Sequence, residues 1–209
     1  MKVLLINGSP HEKGCTYTAL NIIKEEFIKE GIDSEIYYIG NDPIAPCRAC
    51  YACANLKRCV IEDKVNEFVD YAKDFDGYIV GSPVHYASAS GNVVPFLHRA
   101  FFCASRAGSP FAHKPASAIV SARRAGTTAT IDQLNKYFQI QQMPVISGKY
   151  WNMVHGSKPE DVYKDEESVQ NLQILARNFA WHLKCREIAL KNGINPPQTP
   201  EIIRTNFIK

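Results

Sequence analysis

An apolar run, Val3-Leu4-Leu5-Ile6, stops at Asn7-Gly8-Ser9-Pro10, passes through a loop to Gly14, and opens at Cys15-Thr16-Tyr17-Thr18 into a helical period. A short, unbroken apolar run is what a strand needs when helices cover both of its faces. The strand, loop and helix together set Ser9, Gly14, Cys15, Thr16, Tyr17 and Thr18 around a helix N-terminus, where the first N–H groups have no partner inside the helix. Glycines at 8 and 14 let the loop turn tightly. The segment reads as a cradle for a phosphate.

The absent residues narrow the kind of phosphate. A loop for a nucleoside triphosphate has four residues between its glycines and then a lysine; here five residues separate Gly8 from Gly14, and Cys15 takes the lysine's place. The dinucleotide fingerprint G-x-G-x-x-G is missing, and no acidic residue closes the second strand run, Ser34 to Ile39, to read a ribose. A terminal monophosphate held by hydroxyls and amides remains, which fits FMN better than ATP or NAD.

Strand runs alternate with helical periods along the rest of the chain. Leu20, Ile23 and Phe27 mark a first helix ended by Gly31, and Val65, Phe68, Val69 and Ala72 a second; a third covers about Ser90 to Phe102. Strands are expected at Gly77–Gly81, Pro115–Val120 and Pro144–Ile146, and helices at Thr128–Gln139 and along Leu172, Leu175, Phe179 and Leu183. Five such units predict an α/β fold, a flavodoxin-like three-layer α/β/α sandwich on a five-stranded parallel sheet of order 2-1-3-4-5. Residues 1–193 form the FMN-binding domain of this reading, and 194–209, with Pro196, Pro197 and Pro200, an irregular C-terminal tail. With 209 residues, 45% of them hydrophobic, one buried domain is the default. A net charge of +3 without a basic run excludes a nucleic-acid groove. No leader and no apolar stretch of about 20 residues is visible, so no membrane partner and a cytoplasmic location are expected.

In this strand order a ligand sits at the carboxyl edge between strands 1 and 3. Two further loops meet there. Pro83 and Val84 fix a turn with backbone groups for a planar ring, and His85 and Tyr86 offer stacking surfaces. Ser121 opens the other loop, where Gly126 permits close approach and Arg123 and Arg124 offer cations for a nicotinamide cofactor's phosphates or the flavin's anionic edge. No residue is assigned as a general base, because the chemistry would belong to the flavin.

Gly8-Ser9-Pro10 with Gly14-x-Thr16, Pro46-Cys47 through Asp63, Gly81-Ser82-Pro83-Val84 and the Ser121 to Gly126 loop together resemble the NAD(P)H-dependent FMN reductase family, including its iron-sulfur flavoprotein branch. The resemblance implies FMN, NAD(P)H as co-substrate, a small-molecule electron acceptor, and a homodimer or homotetramer in which a neighbouring subunit borders the flavin. Three positions depart from the family's frequent pattern: Cys15 where Asn is common, His85 where Tyr is common, and His98-Arg99 where Asp-Arg is common. The first two bear on flavin potential or acceptor choice, the third on packing.

Seven cysteines, an odd number, argue against a disulfide framework. Cys47-x₂-Cys50-x₂-Cys53-x₅-Cys59 has cluster-like spacing, although Val60 stands where a ferredoxin-type run has proline. The reading favours reduced thiols over an iron-sulfur cluster and assigns no metal ligand; Cys103 and Cys185 are read as core residues. Tyr150 to Gly156 is either buried or a subunit contact, and Glu62-Asp63 is read as a helix cap. Three functions follow: an FMN-dependent NAD(P)H oxidoreductase, which leads; an electron carrier with a cluster on the four cysteines; and a flavin-binding sensor without turnover.

Overall fold

The computed structural model describes residues 1–208. Its central sheet is parallel. β1 (Lys2–Asn7) lies between β2 (Asp33–Tyr38) and β3 (Gly77–His85), and β3 is followed outward by β5 (Ala116–Ala122) and β6 (Met153–His155). A two-residue strand, β4 (Ser88–Ala89), folds back antiparallel on the end of β3. With β4 set aside, the five parallel strands run in the flavodoxin-like order 2-1-3-4-5.

The alternation of side chains along β1 explains how an unbroken apolar run is used. Leu4 and Ile6 join one buried cluster with Phe68 of α3 (Lys64–Ala72), Phe96 of α4 (Val93–Arg106) and Phe138 of α5 (Thr127–Ile140). Val3 and Leu5 face the opposite cluster, with Leu20 and Phe27 of α1 (Cys15–Lys29), Val162 of the short α6 (Pro159–Val162), and Leu175 and Phe179 of α7 (Glu166–Lys191). A period of two divides four consecutive apolar residues between two cores. Burial pushes the Glu26 carboxyl up, but hydrogen bonds from Lys29 and from Arg177 of α7 outweigh it and hold it below the ordinary range, tying α1 to α7. Among the described residues no helix is long and apolar enough to cross a membrane.

Two sequence expectations need correction. Pro144–Ile146 is not the last strand: it makes one bridge, Ala116 to Val145, and the ladder with β5 forms at Met153–His155. Asn152 explains the shift. Its buried amide donates to Ser117 Oγ (3.0 Å) and the Ala118 carbonyl (3.2 Å), pinning the chain to β5 just before β6. Cys185, expected in the core, is exposed on α7, whereas Cys103 is buried on α4. Residues 194–208 carry no helix or strand and are exposed, as are Tyr150 and Trp151.

Candidate functional site

Asn7, the last residue of β1, shapes the loop that follows. Wholly buried, it accepts the Ser9 N–H at Oδ1 (3.1 Å) and donates from Nδ2 to the Glu12 carbonyl (2.8 Å). Ser9 Oγ then accepts the His11 N–H at 3.0 Å. The loop delivers Gly14 as the N-cap of α1 in extended backbone, and no side chain caps the helix. The first-turn N–H groups are thereby left for a ligand. Neither Gly8 nor Gly14 has a positive φ, yet Gly14 closes a tight turn as expected: its N–H donates to the His11 carbonyl at 3.2 Å, and a Cβ there would lie 3.1 Å from His11 Cβ. Gly8 is glycine for space: a Cβ there would lie 2.1 Å from Val93 Cγ2 and 2.9 Å from the Gly81 carbonyl, which accepts the Gly8 N–H.

The loop lines a cleft of about 720 Å³, within the ordinary range for small-ligand sites. Ser9, Gly14, Cys15, Thr16, Pro83, Val84, Ser121 and Arg123 meet in it, drawn from the carboxyl ends of β1, β3 and β5. Tyr17, Thr18, His85, Tyr86, Arg124 and Gly126 do not line it. Thr16 is buried, and its hydroxyl pairs with Ser121 Oγ at 2.8 Å, joining α1 to β5. Thr18 turns back to the Gly14 carbonyl (3.3 Å). Burial pushes the Cys15 thiol up, and the carboxylates of Asp161 and Glu160 add to this, so it stays a neutral thiol.

Pro83 and Val84 do not make the expected turn. They continue β3 as extended strand, and the reversal falls on Tyr86 and Ala87, both with positive φ (51° and 56°), between His85 and Ser88. Two left-handed non-glycine residues at a two-residue hairpin each cost roughly 1 kcal/mol or more, a strain found at ligand sites. Gly126, with φ 98°, presses on this hairpin: a Cβ would sit 2.8 Å from Val84 Cγ1. Its role is thus indirect, holding the β5–α5 loop against the hairpin. Residues that the sequence reading did not assign to the ligand complete the cleft, namely Tyr38 at the end of β2, Asn41 beyond it, and Gly156, Ser157 and Pro159 after β6. Lys13 and Arg123 give its rim cationic groups, and the His11 imidazole lies among them.

A second, much smaller pocket lies under the long connection between β2 and α3. Cys47, Cys50, Cys53 and Cys59 line it together with Cys103 and Arg99 of α4. Cys47 and Cys50 are exposed, while Cys53 is buried at the start of a short helix, α2 (Cys53–Leu56). About 20 Å³ is enclosed, room for one water, so a larger occupant requires the exposed outer cysteines to move outward. Among the described residues no three Cys, His, Asp or Glu side chains are gathered to hold a single metal ion. Cys59 is the best fixed of the four: Asn66 accepts its N–H (2.9 Å) and donates to its carbonyl (2.9 Å). Burial pushes Cys103 up to about 12, which keeps that thiol neutral. Asp63 caps α3 through the Val65 N–H, as the sequence suggested, and also grips Arg99, which it did not.

Solved structures of the same architecture include an apo NADH:FMN oxidoreductase (TM-score 0.62, 19% identity, covering 86% of this chain and 88% of that one) and an archaeal flavodoxin (TM-score 0.58, 14% identity, 88% and 99%). These likenesses establish the flavodoxin-like fold. Among curated relatives, an iron-sulfur flavoprotein of Methanocaldococcus jannaschii is 28% identical over 187 residues, 86% of this chain and 96% of the relative. Another, from Methanosarcina thermophila, is 28% identical over 164 residues, 73% and 83% of the two chains. The sequence model of the NADPH-dependent FMN reductases matches residues 1–158, from β1 to the loop after β6 and so across every strand that borders the cleft; the chain belongs to that family.

Proposed function

We propose that the chain is an FMN-dependent oxidoreductase that takes reducing equivalents from NADH or NADPH and passes them to a small-molecule acceptor. The observation that carries this is the uncapped N-terminus of α1 opening into the cleft at the β1–β3 switch point. It suits a terminal phosphate, because unpaired N–H groups, the helix dipole and Ser9 converge on one spot, with Cys15 where a triphosphate loop has its lysine. FMN, when bound, supplies the hydride-accepting ring. The chain's own part is to bind and orient: the α1 terminus and Ser9 hold the phosphate, the strained hairpin at Pro83–Ala87 borders the ring, and Arg123 meets the incoming nicotinamide's phosphates. Homodimers or homotetramers are part of this reading, supported by the exposed aromatic surfaces of Tyr86, Tyr150 and Trp151. Chromatography of the flavin released from purified protein tests it: FMN is expected, and recovery of FAD alone, or no binding of either flavin, removes it.

A second reading adds an iron-sulfur cluster on Cys47, Cys50, Cys53 and Cys59. By itself the sequence favours packed thiols. Five cysteines around one pocket, with both outer thiols exposed and free to adjust, and relatives named as iron-sulfur flavoproteins, favour the cluster. The donor set fits: thiolate sulfur is the ligand such clusters take. Iron and acid-labile sulfide assays on anaerobically purified protein decide between the readings. Flavin without either component returns the loop to packed thiols.

A further inference from the structure

We propose that Arg99 is a positioning residue for an iron-sulfur cluster in the cysteine loop, with its Nε–H donating to the Cys59 sulfur and raising the cluster's reduction potential. This rests on the cluster reading above. Arg99 is almost completely buried. All five of its N–H donors are used, and every acceptor lies between Ala45 and Asp63. Nη1 reaches the Ala45 carbonyl (3.4 Å) and Asp63 Oδ2 (2.5 Å); Nη2 reaches the Ile61 carbonyl (2.9 Å) and Asp63 Oδ1 (2.8 Å); Nε points at Cys59 Sγ (3.4 Å).

Four of these bonds close the loop at both ends and would serve packing alone. The fifth serves something else. The Cys59 backbone is already held at both its N–H and its carbonyl by Asn66, so the Nε–H is not needed to place the residue. Its effect falls on the sulfur. A cluster gains one electron on reduction, and the added negative charge is spread over its sulfurs. Hydrogen bonds to those sulfurs, and a fixed positive charge beside them, stabilise the reduced form more than the oxidised form. Guanidinium suits this position because it stays charged when buried and can satisfy a carboxylate with one edge while the Nε–H points elsewhere.

The test compares wild type with Arg99→Lys, which keeps a cation but loses the fork and the Nε–H. Both are prepared anaerobically, assayed for iron and sulfide, and titrated with dithionite and mediators while the reduced cluster is followed by EPR. The one-electron reduction equilibrium is expected to fall at least tenfold in the variant, about 59 mV to lower potential, at unchanged iron content. Full iron content with an unshifted potential overturns the proposal, because a purely structural role moves thermal stability and iron content only. If Arg99→Lys does not retain iron, the wild-type protein decides alone. Grown with ¹⁵N-arginine, its reduced cluster is expected to give a ¹⁵N coupling in pulsed EPR, and absence of that coupling overturns the assignment. Wild-type protein with flavin but no iron or sulfide removes the cluster reading itself, a result distinct from either of the others.

Discussion

The cleft and the cysteine pocket lie under different loops of one sheet, and they are built on opposite plans. The cleft is made of backbone. Its walls are strand ends and a helix terminus, fixed by Asn7, by the Thr16–Ser121 hydroxyl pair and by close contacts such as Gly8 against Gly81. The cysteine pocket is a loop with three positive-φ residues, Ala49, Tyr51 and Lys57, fastened to the rest of the molecule through side chains, chiefly Arg99 and Asn66. A site made of backbone survives most single substitutions, whereas one fastened by two side chains depends on each of them. The two regions should therefore fail separately.

Cys59→Ser is the sharpest way to break that contrast. With the cluster reading, it is expected to abolish iron and sulfide binding almost completely while FMN content stays at the wild-type level. Parallel metal and flavin assays measure both; loss of FMN along with the iron would show that the regions form one unit. Asp63→Asn comes next. Burial pushes the Asp63 carboxyl up, but the hydrogen bonds from Arg99 and the Val65 N–H outweigh it and hold it below the usual carboxylate range. Its ionised form therefore stabilises the fold fully above the unfolded value of about 4, and this contribution is lost as pH falls through the lower folded value. Removing the charge leaves buried Arg99 short of its counterion, at about 3 kcal/mol. Urea midpoints for wild type and Asp63→Asn should differ most above pH 5 and converge towards pH 2; a constant gap across that range would mean that Asp63 acts through packing.

Much of the cleft was legible from sequence because strand endings and glycine spacing are local features. The Val3–Ile6 run located β1, and the loops after β1, β3 and β5 were found from their Gly, Pro and Ser residues. The hairpin turn was misplaced by three residues because Pro83 reads as a turn signal, yet its missing N–H is tolerated at that point of β3. Gly156 was read only as part of a buried segment or subunit contact, and Ser157 and Pro159 not at all, because their approach to the cleft depends on where β6 starts, and Asn152 decides that through side-chain contacts with β5. The Arg99–Asp63 grip spans 36 residues, and no local pattern announces such a pair. The same holds for Cys103, whose helical spacing marks it as core without revealing that it faces four other cysteines.

Gly126→Ala probes how the hairpin supports the cleft. The added methyl would meet Val84 and Ala87 at a residue with φ 98°, so a loss of about 1 to 3 kcal/mol is expected, with weaker FMN binding because the hairpin must shift. Thermal unfolding of the flavin-free protein and a fluorescence titration with FMN separate the two effects. Unchanged affinity despite lowered stability would mean that the hairpin does not border the ring.

The smallest expected difference is between two adjacent arginines. Arg123 lines the cleft and Arg124 does not, although the sequence offers both as equal candidates for contact with a nicotinamide cofactor. Both are exposed, and among the described residues neither forms an ion pair, so the fold does not depend on either charge. One charge-assisted hydrogen bond to a phosphate, worth about 1.5 kcal/mol, should raise the half-saturation concentration for NAD(P)H roughly tenfold in Arg123→Ala. Arg124→Ala should stay within about 0.5 kcal/mol of wild type, less than roughly threefold. Stopped-flow reduction of flavin-loaded protein over a range of NADH and NADPH concentrations gives both numbers. Equal effects at the two positions would mean that the β5–α5 loop rearranges to bring Arg124 into the cleft. If Arg123→Ala instead loses FMN at unchanged half-saturation, that arginine belongs to the flavin's anchorage, and the hydride donor docks elsewhere.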